Sequence, residues 1–113
     1  MRGFGLTHEE LPSGTVCVAP RGELDLVHAY MFDEELRRIE ETQPPCIVLD
    51  LHELSFVDSA GLGRLLAAQR RARRGGRRLL LMHVGRAVRR LLALAAVDAM
   101  FEIVSDLPAD LLA

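Results

Sequence analysis

Cys46-Ile47-Val48-Leu49-Asp50-Leu51 leads through His52-Glu53-Leu54-Ser55-Phe56-Val57 into Asp58-Ser59-Ala60-Gly61-Leu62-Gly63. The first six residues are apolar except for Asp50. A run apolar on both faces predicts a central strand of a parallel sheet, covered on both sides. Beyond Asp58, the residues Leu62, Leu65 and Leu66 fall on one side of a helix. Ser59 therefore stands where a strand hands over to a helix, beside backbone N–H groups that no preceding turn can satisfy. That helix end is also electropositive and accommodates an anion. The position suits a serine that is switched by phosphorylation while the fold stays intact.

Working outward, residues 4–10 predict a short edge strand and residues 15–19, Thr-Val-Cys-Val-Ala, a second strand. Pro20 and Gly22 predict that this strand ends or bulges there. Residues 27–42 predict a helix that buries Ala29, Phe32, Leu36 and Ile39. Its opposite face carries Asp33, Glu34, Arg37 and Arg38, and Pro44-Pro45 stops it. The helix over 59–74 ends at Gly75-Gly76. A strand over 78–83 follows, then a helix over 86–96 with Val88, Leu91, Leu92 and Ala95 on one face. Residues 101–104 predict a last strand, and Pro108 with the Asp110-Leu111-Leu112-Ala113 tail a last short helix. The order β-β-α-β-α-β-α-β-α predicts one α/β domain over residues 1–113. Its sheet should be mixed but mostly parallel, with about four helices and right-handed crossovers.

Composition narrows the function. The chain has 113 residues, half of them hydrophobic, but only four Phe and one Tyr, so the core should be aliphatic. No stretch approaches the ~20 apolar residues of a membrane span, and no signal-peptide pattern opens the chain, so a cytoplasmic location is expected. All 14 basic residues are arginine. The lack of lysine excludes a Walker-type phosphate loop and Schiff-base or pyridoxal chemistry. Cys17 and Cys46 lie in strand-like runs and should be buried free thiols. His8, His28, His52 and His83 show no metal-site spacing, so no metal is expected.

Residues 1–58 hold 12 acidic against 4 basic groups, whereas residues 59–113 hold 4 acidic against 10 basic. Such asymmetry can orient a partner before docking. Arg70, Arg71, Arg73, Arg74, Arg77 and Arg78 crowd a helix C-terminus. They read as favouring its dipole and solvating an exposed face. The acidic net charge and the absence of interleaved aromatics argue against direct nucleic-acid binding.

Ser59 could be a plain helix N-cap, worth about 1 kcal/mol. Gly61 and Gly63 raise its functional weight. Each costs about 1 kcal/mol relative to Ala in a helix, and each strips a side chain from the first turn, so another protein could approach the backbone there. Asp50 suggests a phosphoryl-accepting carboxylate, but the acidic pair and the lysine that such chemistry wants are missing. Its structural reading is a hydrogen-bonded group that fixes the following loop. A hydrolase elbow needs Gly-x-Ser-x-Gly, but position 57 is Val57; His83 and Asp98 would be its triad partners.

The stretch from Ile47 to Leu66, with Leu-Asp-Leu and Phe-Val-Asp-Ser-Ala-Gly-Leu-Gly at this spacing, closely resembles STAS domains, specifically bacterial anti-sigma factor antagonists. Gly22-Glu23-Leu24-Asp25 is similar to that family's turn after the second strand. Gly76-Arg-Arg-Leu-Leu-Leu81 and Arg89-Arg-Leu-Leu-Ala-Leu94 are similar to its fourth strand and third helix. Ala96-Val97 departs from the family's usual Gly-Leu, and Pro20 is also less usual.

The resemblance implies a non-enzymatic partner-switching protein that needs no cofactor of its own. It implies that the unphosphorylated form binds an anti-sigma factor, a Ser/Thr kinase with a histidine-kinase-like ATPase fold, and frees a sigma factor. The kinase then phosphorylates the serine of the motif, and a phosphatase reverses this. Ser59 occupies the phosphoacceptor position. Asp25, Asp58, Ala60, Gly61, Leu62 and Gly63 fall with it on the implied partner-binding surface. The same resemblance also admits a soluble subunit of an ABC-type lipid-transport system, where that surface would brace an ATPase. A scaffold subunit of a stress-signalling assembly is a third reading.

Overall fold

The computed structural model describes residues 3–112. Strands β1 (Phe4–Glu10) and β2 (Val16–Leu24) precede helix α1 (Ala29–Glu41). Next come β3 (Cys46–Asp50), β4 (Leu54–Val57), α2 (Ser59–Arg74), β5 (Arg78–Met82), α3 (Arg86–Leu94) and β6 (Glu102–Val104). The chain is thus a single α/β domain with a mixed six-stranded sheet and three α-helices. The order across the sheet is β1-β2-β3-β5-β6. β1 runs antiparallel to β2, and the other pairings are parallel.

Three expectations need correction. The short helix expected after Pro108 is a single 3-10 turn over Ala109–Leu111 rather than an α-helix, and Ala113 lies outside the described residues. Residues 54–57 form an additional strand. The second strand runs beyond the expected residues 15–19 to Leu24, and the bulge expected at Pro20 and Gly22 appears as a register shift between Gly22 and Glu23. These last two are connected. β2 pairs with β3 through Val16–Val18 and with β4 through Gly22–Leu24. Pro20 falls between the two parallel partners, where its missing N–H withdraws nothing from either ladder.

Ile47 and Leu49 face α1 and α2 and join Val18, Leu24, Phe32, Leu36, Leu65 and Leu81 in the main core. Cys46 and Val48 face the other way, with Leu80 and Met82, under Leu107 and Leu111 of the tail. The Ser13 hydroxyl donates to the Leu111 carbonyl at 2.7 Å and ties that tail down. The both-sides apolar character of β3 is explained by this double cover. Both cysteines are free, Cys46 buried and Cys17 partly so. Burial pushes the Cys46 thiol up to about 11, which keeps it protonated and unreactive at neutral pH.

α1 buries the predicted face, but Asp33 goes in with it. Arg37 Nε and Arg71 Nη1 each donate to its carboxylate at 3.0 Å. Burial alone would raise the Asp33 pKa; these arginines overcome it and hold the carboxyl below its ordinary value. Arg71, only 16 % exposed, also grips Glu40 through two hydrogen bonds of 2.7 and 2.9 Å. Arg77 donates to the carbonyls of Pro44 and Glu40, Arg73 to that of Met100, and Arg78 to Glu102. Much of the arginine cluster is therefore internal stapling rather than a solvated face.

Candidate functional site

Asp58, not Ser59, caps α2. Its backbone is extended, and its Oδ1 accepts the Gly61 N–H at 2.9 Å. Its Oδ2 accepts the Leu26 N–H at 3.1 Å. One carboxylate thus clamps the turn after β2 to the start of α2. The Leu62 N–H goes to the Asp58 carbonyl at 2.8 Å, the first intrahelical bond. The Ser59 and Ala60 N–H groups have no protein partner among the described residues. They are the open amides of a helix start.

Ser59 is the first residue of the helix and is exposed, and its hydroxyl makes no hydrogen bond among the described residues. A catalyst or a partner could reach it without unfolding the turn.

Gly61 and Gly63 differ. A Cβ on Gly61 would lie 2.1 Å from the Leu24 carbonyl oxygen, whereas one on Gly63 would meet no heavy atom within 4 Å. The close approach at Gly61 is therefore to the chain's own β2, and the helix packs there because no side chain intervenes. Gly63 leaves its space on the outside. Leu62 likewise turns into the core. Asp58, Ser59, Ala60 and Gly63 remain at the surface.

Asp25 organises the turn before α1. Its carbonyl accepts the Ala29 N–H at 2.8 Å, and its carboxylate accepts the His28 N–H at 3.0 Å. His28 Nδ1 lies 2.8 Å from the same carboxylate oxygen. This partly buried network shapes the turn that presents Leu26 and Val27. The sequence reading did not single out that apolar patch. Leu26 is 76 % exposed and Tyr30 64 %, and Val27 and Met31 are exposed beside them. Leu26 and Tyr30, with Ala29, Ala60, Gly63 and Arg64, border a shallow hollow of about 510 Å³ next to Ser59. The signal was present in the residue spacing: Tyr30 falls off the Ala29-Phe32-Leu36 stripe, so an aromatic there has no core to enter.

Asp50 lies at the end of β3, engaged with its loop: its Oδ1 accepts the His52 N–H at 3.1 Å and contacts His83 Nδ1 at 2.9 Å. The hydrogen bond to Asp50, with a lesser contribution from Asp106, raises the His83 pKa. His83 is thus paired with these two carboxylates rather than with Asp98. No group of His, Cys, Asp or Glu side chains suited to a metal gathers among the described residues. No described helix is long and apolar enough to cross a membrane.

Known proteins share this fold. The chain is 26 % identical to an anti-sigma factor antagonist from Mycobacterium paratuberculosis, with a TM-score of 0.83, covering 93 % of this chain and 88 % of that one. It is 20 % identical to the anti-sigma factor antagonist SpoIIAA in its unphosphorylated form, with a TM-score of 0.74 and 90 % of each chain covered. Against the Bacillus SpoIIAA in the phosphorylated form the identity is 19 % and the TM-score 0.69, over 90 % of this chain and 93 % of that one. A family model for the STAS domain matches residues 9–109. The chain belongs to the STAS domain family.

Proposed function

We propose that this protein is an anti-sigma factor antagonist whose partner binding is switched by phosphorylation of Ser59. The carrying observation is the Ser59 hydroxyl: exposed, unbonded among the described residues, and flanked by two open backbone amides. The likeness to antagonists, one of them known in phosphorylated and unphosphorylated forms, supports the same reading. The protein itself is then no enzyme but the substrate of one. Its partner is an anti-sigma factor with Ser/Thr kinase activity, and a phosphatase resets the switch.

Leu26, Val27, Tyr30 and the open surface over Gly63 supply the apolar contact that a partner would bury. Aromatic and aliphatic anchors in such a patch carry most of an interface's energy. A phosphoryl group on Ser59 adds about −1.5 to −2 charges. The Ser59 and Ala60 amides and the α2 dipole stabilise that charge in the free protein, so the fold is kept. In a closed interface the same charge must be desolvated beside Asp58, at a penalty of roughly 2–5 kcal/mol.

The test uses the wild-type chain and two variants as bait, with and without Mg-ATP, followed by peptide mapping. Ser59→Ala should hold an anti-sigma kinase through the ATP wash; Ser59→Glu should fail to capture it. Equal retention by wild type and both variants would place the interface elsewhere.

A further inference from the structure

A second surface lies along the strand that leads into the motif. Between β4 and α3 runs a groove of about 270 Å³, floored by Val57 and Val88 and walled by Phe56, Leu91 and Leu94. Phe56 is 47 % exposed and Leu94 75 %. We propose that this groove docks an acidic amphipathic segment of a partner protein.

The charge on α3 points to that occupant. The helix reads Arg-Ala-Val-Arg-Arg-Leu-Leu-Ala-Leu and holds no acidic residue. Arg86, Arg89 and Arg90 make no hydrogen bond or ion pair among the described residues, unlike Arg71, Arg73, Arg77 and Arg78 on and after α2. Arg86 stands in the first turn, where a cation opposes the helix dipole. The cap, Gly85, offers no side chain to the free amides. Local energetics thus disfavour this arrangement, and nothing inside the molecule compensates for it. Arg86, Arg90 and Leu94 repeat at four-residue spacing, so the two guanidinium groups and the exposed leucine share one side of the helix. A segment with leucine-like side chains would seat them against Phe56 and Leu94 while its carboxylates meet Arg86 and Arg90.

A concave slot suits a single segment better than a flat surface. An extended polyanion such as a membrane or nucleic acid would also confront the chain's net charge of −2 and the 12 acidic groups of residues 1–58. A short segment meets only the arginine row. This surface is independent of Ser59, and Ser59→Ala should leave it unchanged.

The probe is a labelled synthetic helix with leucines at i and i+4 and glutamates on its other positions, followed by fluorescence anisotropy and amide chemical shifts. A lysine version with the same leucines is the comparison. The acidic peptide should saturate, shift amides in 55–57 and 87–94, and bind at least about tenfold more weakly to Arg86→Glu/Arg90→Glu and to Leu94→Ser. Arg70→Glu, an equal charge change per residue on α2, should alter affinity less than about twofold. The proposal is overturned if the acidic peptide does not saturate, if the shifts fall elsewhere, or if Arg70→Glu weakens binding as much. It is overturned too if the lysine peptide binds equally, if sedimentation shows self-association abolished by Leu94→Ser, or if phosphatidylglycerol vesicles bind this face more tightly than the peptide.

Discussion

Asp58→Ala and Asp58→Asn together separate the two tasks of the clamp. The substitution removes the N-cap bond to the Gly61 N–H at 2.9 Å, a loss of about 1 kcal/mol. It also removes the 3.1 Å bond from the Leu26 N–H. A buried bond to a charged acceptor would be worth about 1.5–3 kcal/mol, but Leu26 is so exposed that water replaces the carboxylate and only ~0.5 kcal/mol is lost. The sum is about 1.5 kcal/mol, or roughly 5–8 °C in Tm for a chain of this size. Asp58→Asn keeps an oxygen for Gly61 but offers Leu26 an NH2 instead of an acceptor, so it should lose only about 0.5 kcal/mol. Urea denaturation measures both, and hydrogen exchange at the Leu26 amide reports the bridge directly. Exchange at Leu26 should quicken in both variants, while stability falls mainly in the alanine. Asp58→Ala within about 0.3 kcal/mol of wild type would refute the clamp.

The two motif glycines should respond in opposite directions. Gly61→Ala drives a Cβ into the Leu24 carbonyl and should destabilise by about 2–3 kcal/mol in urea denaturation. Gly63→Ala has open space and should stabilise by about 0.5–1 kcal/mol, yet weaken capture of the kinase partner by covering the contact surface. At the end of α3, Ala96 has φ 57°, with the Val97 N–H bonded to the Leu92 carbonyl and the Ala96 N–H to that of Ala93. α2 closes in the same way with Gly76 at φ 68°, so Ala96→Gly should stabilise by about 0.5–1 kcal/mol in the same assay. Because folding raises the His83 pKa above 6.5, its stabilising pairing is complete below that pH and is lost as pH rises through the folded value. Denaturation midpoints should therefore decline relative to those of His83→Gln as pH climbs from 6 to 8, and an NMR titration of the ring should give a midpoint above 6.5.

Long periodic elements were legible from residue spacing alone. The buried stripe of α1, the doubly covered β3 and the handover into α2 follow from which side chains can avoid water. β4 was not legible, because Leu54-Ser55-Phe56-Val57 has no sustained alternation and is a strand only by pairing with the part of β2 beyond Pro20. Asp33 escaped for a related reason: Arg37 lies one turn on, but the other close partner that permits its burial, Arg71, lies 38 residues away. At the site, the start of α2 was read in the right place, but the group that caps it is Asp58 rather than Ser59. Gly61 and Gly63 look alike in sequence, and only the position of the Leu24 carbonyl distinguishes a packing glycine from an open one. The apolar patch at Leu26 and Tyr30 needed the turn built by Asp25 before it could be located.

The most direct measurement is a binding isotherm for the purified anti-sigma kinase against this protein before and after stoichiometric phosphorylation, with the modified residue mapped and amide spectra of both forms recorded. The account predicts phosphate on Ser59, at least about a 30-fold loss of affinity, and spectral change confined to the start of α2 and the facing turn. Phosphate on Ser55 or Ser105, unchanged affinity, or a spectrum altered throughout the sheet would contradict it.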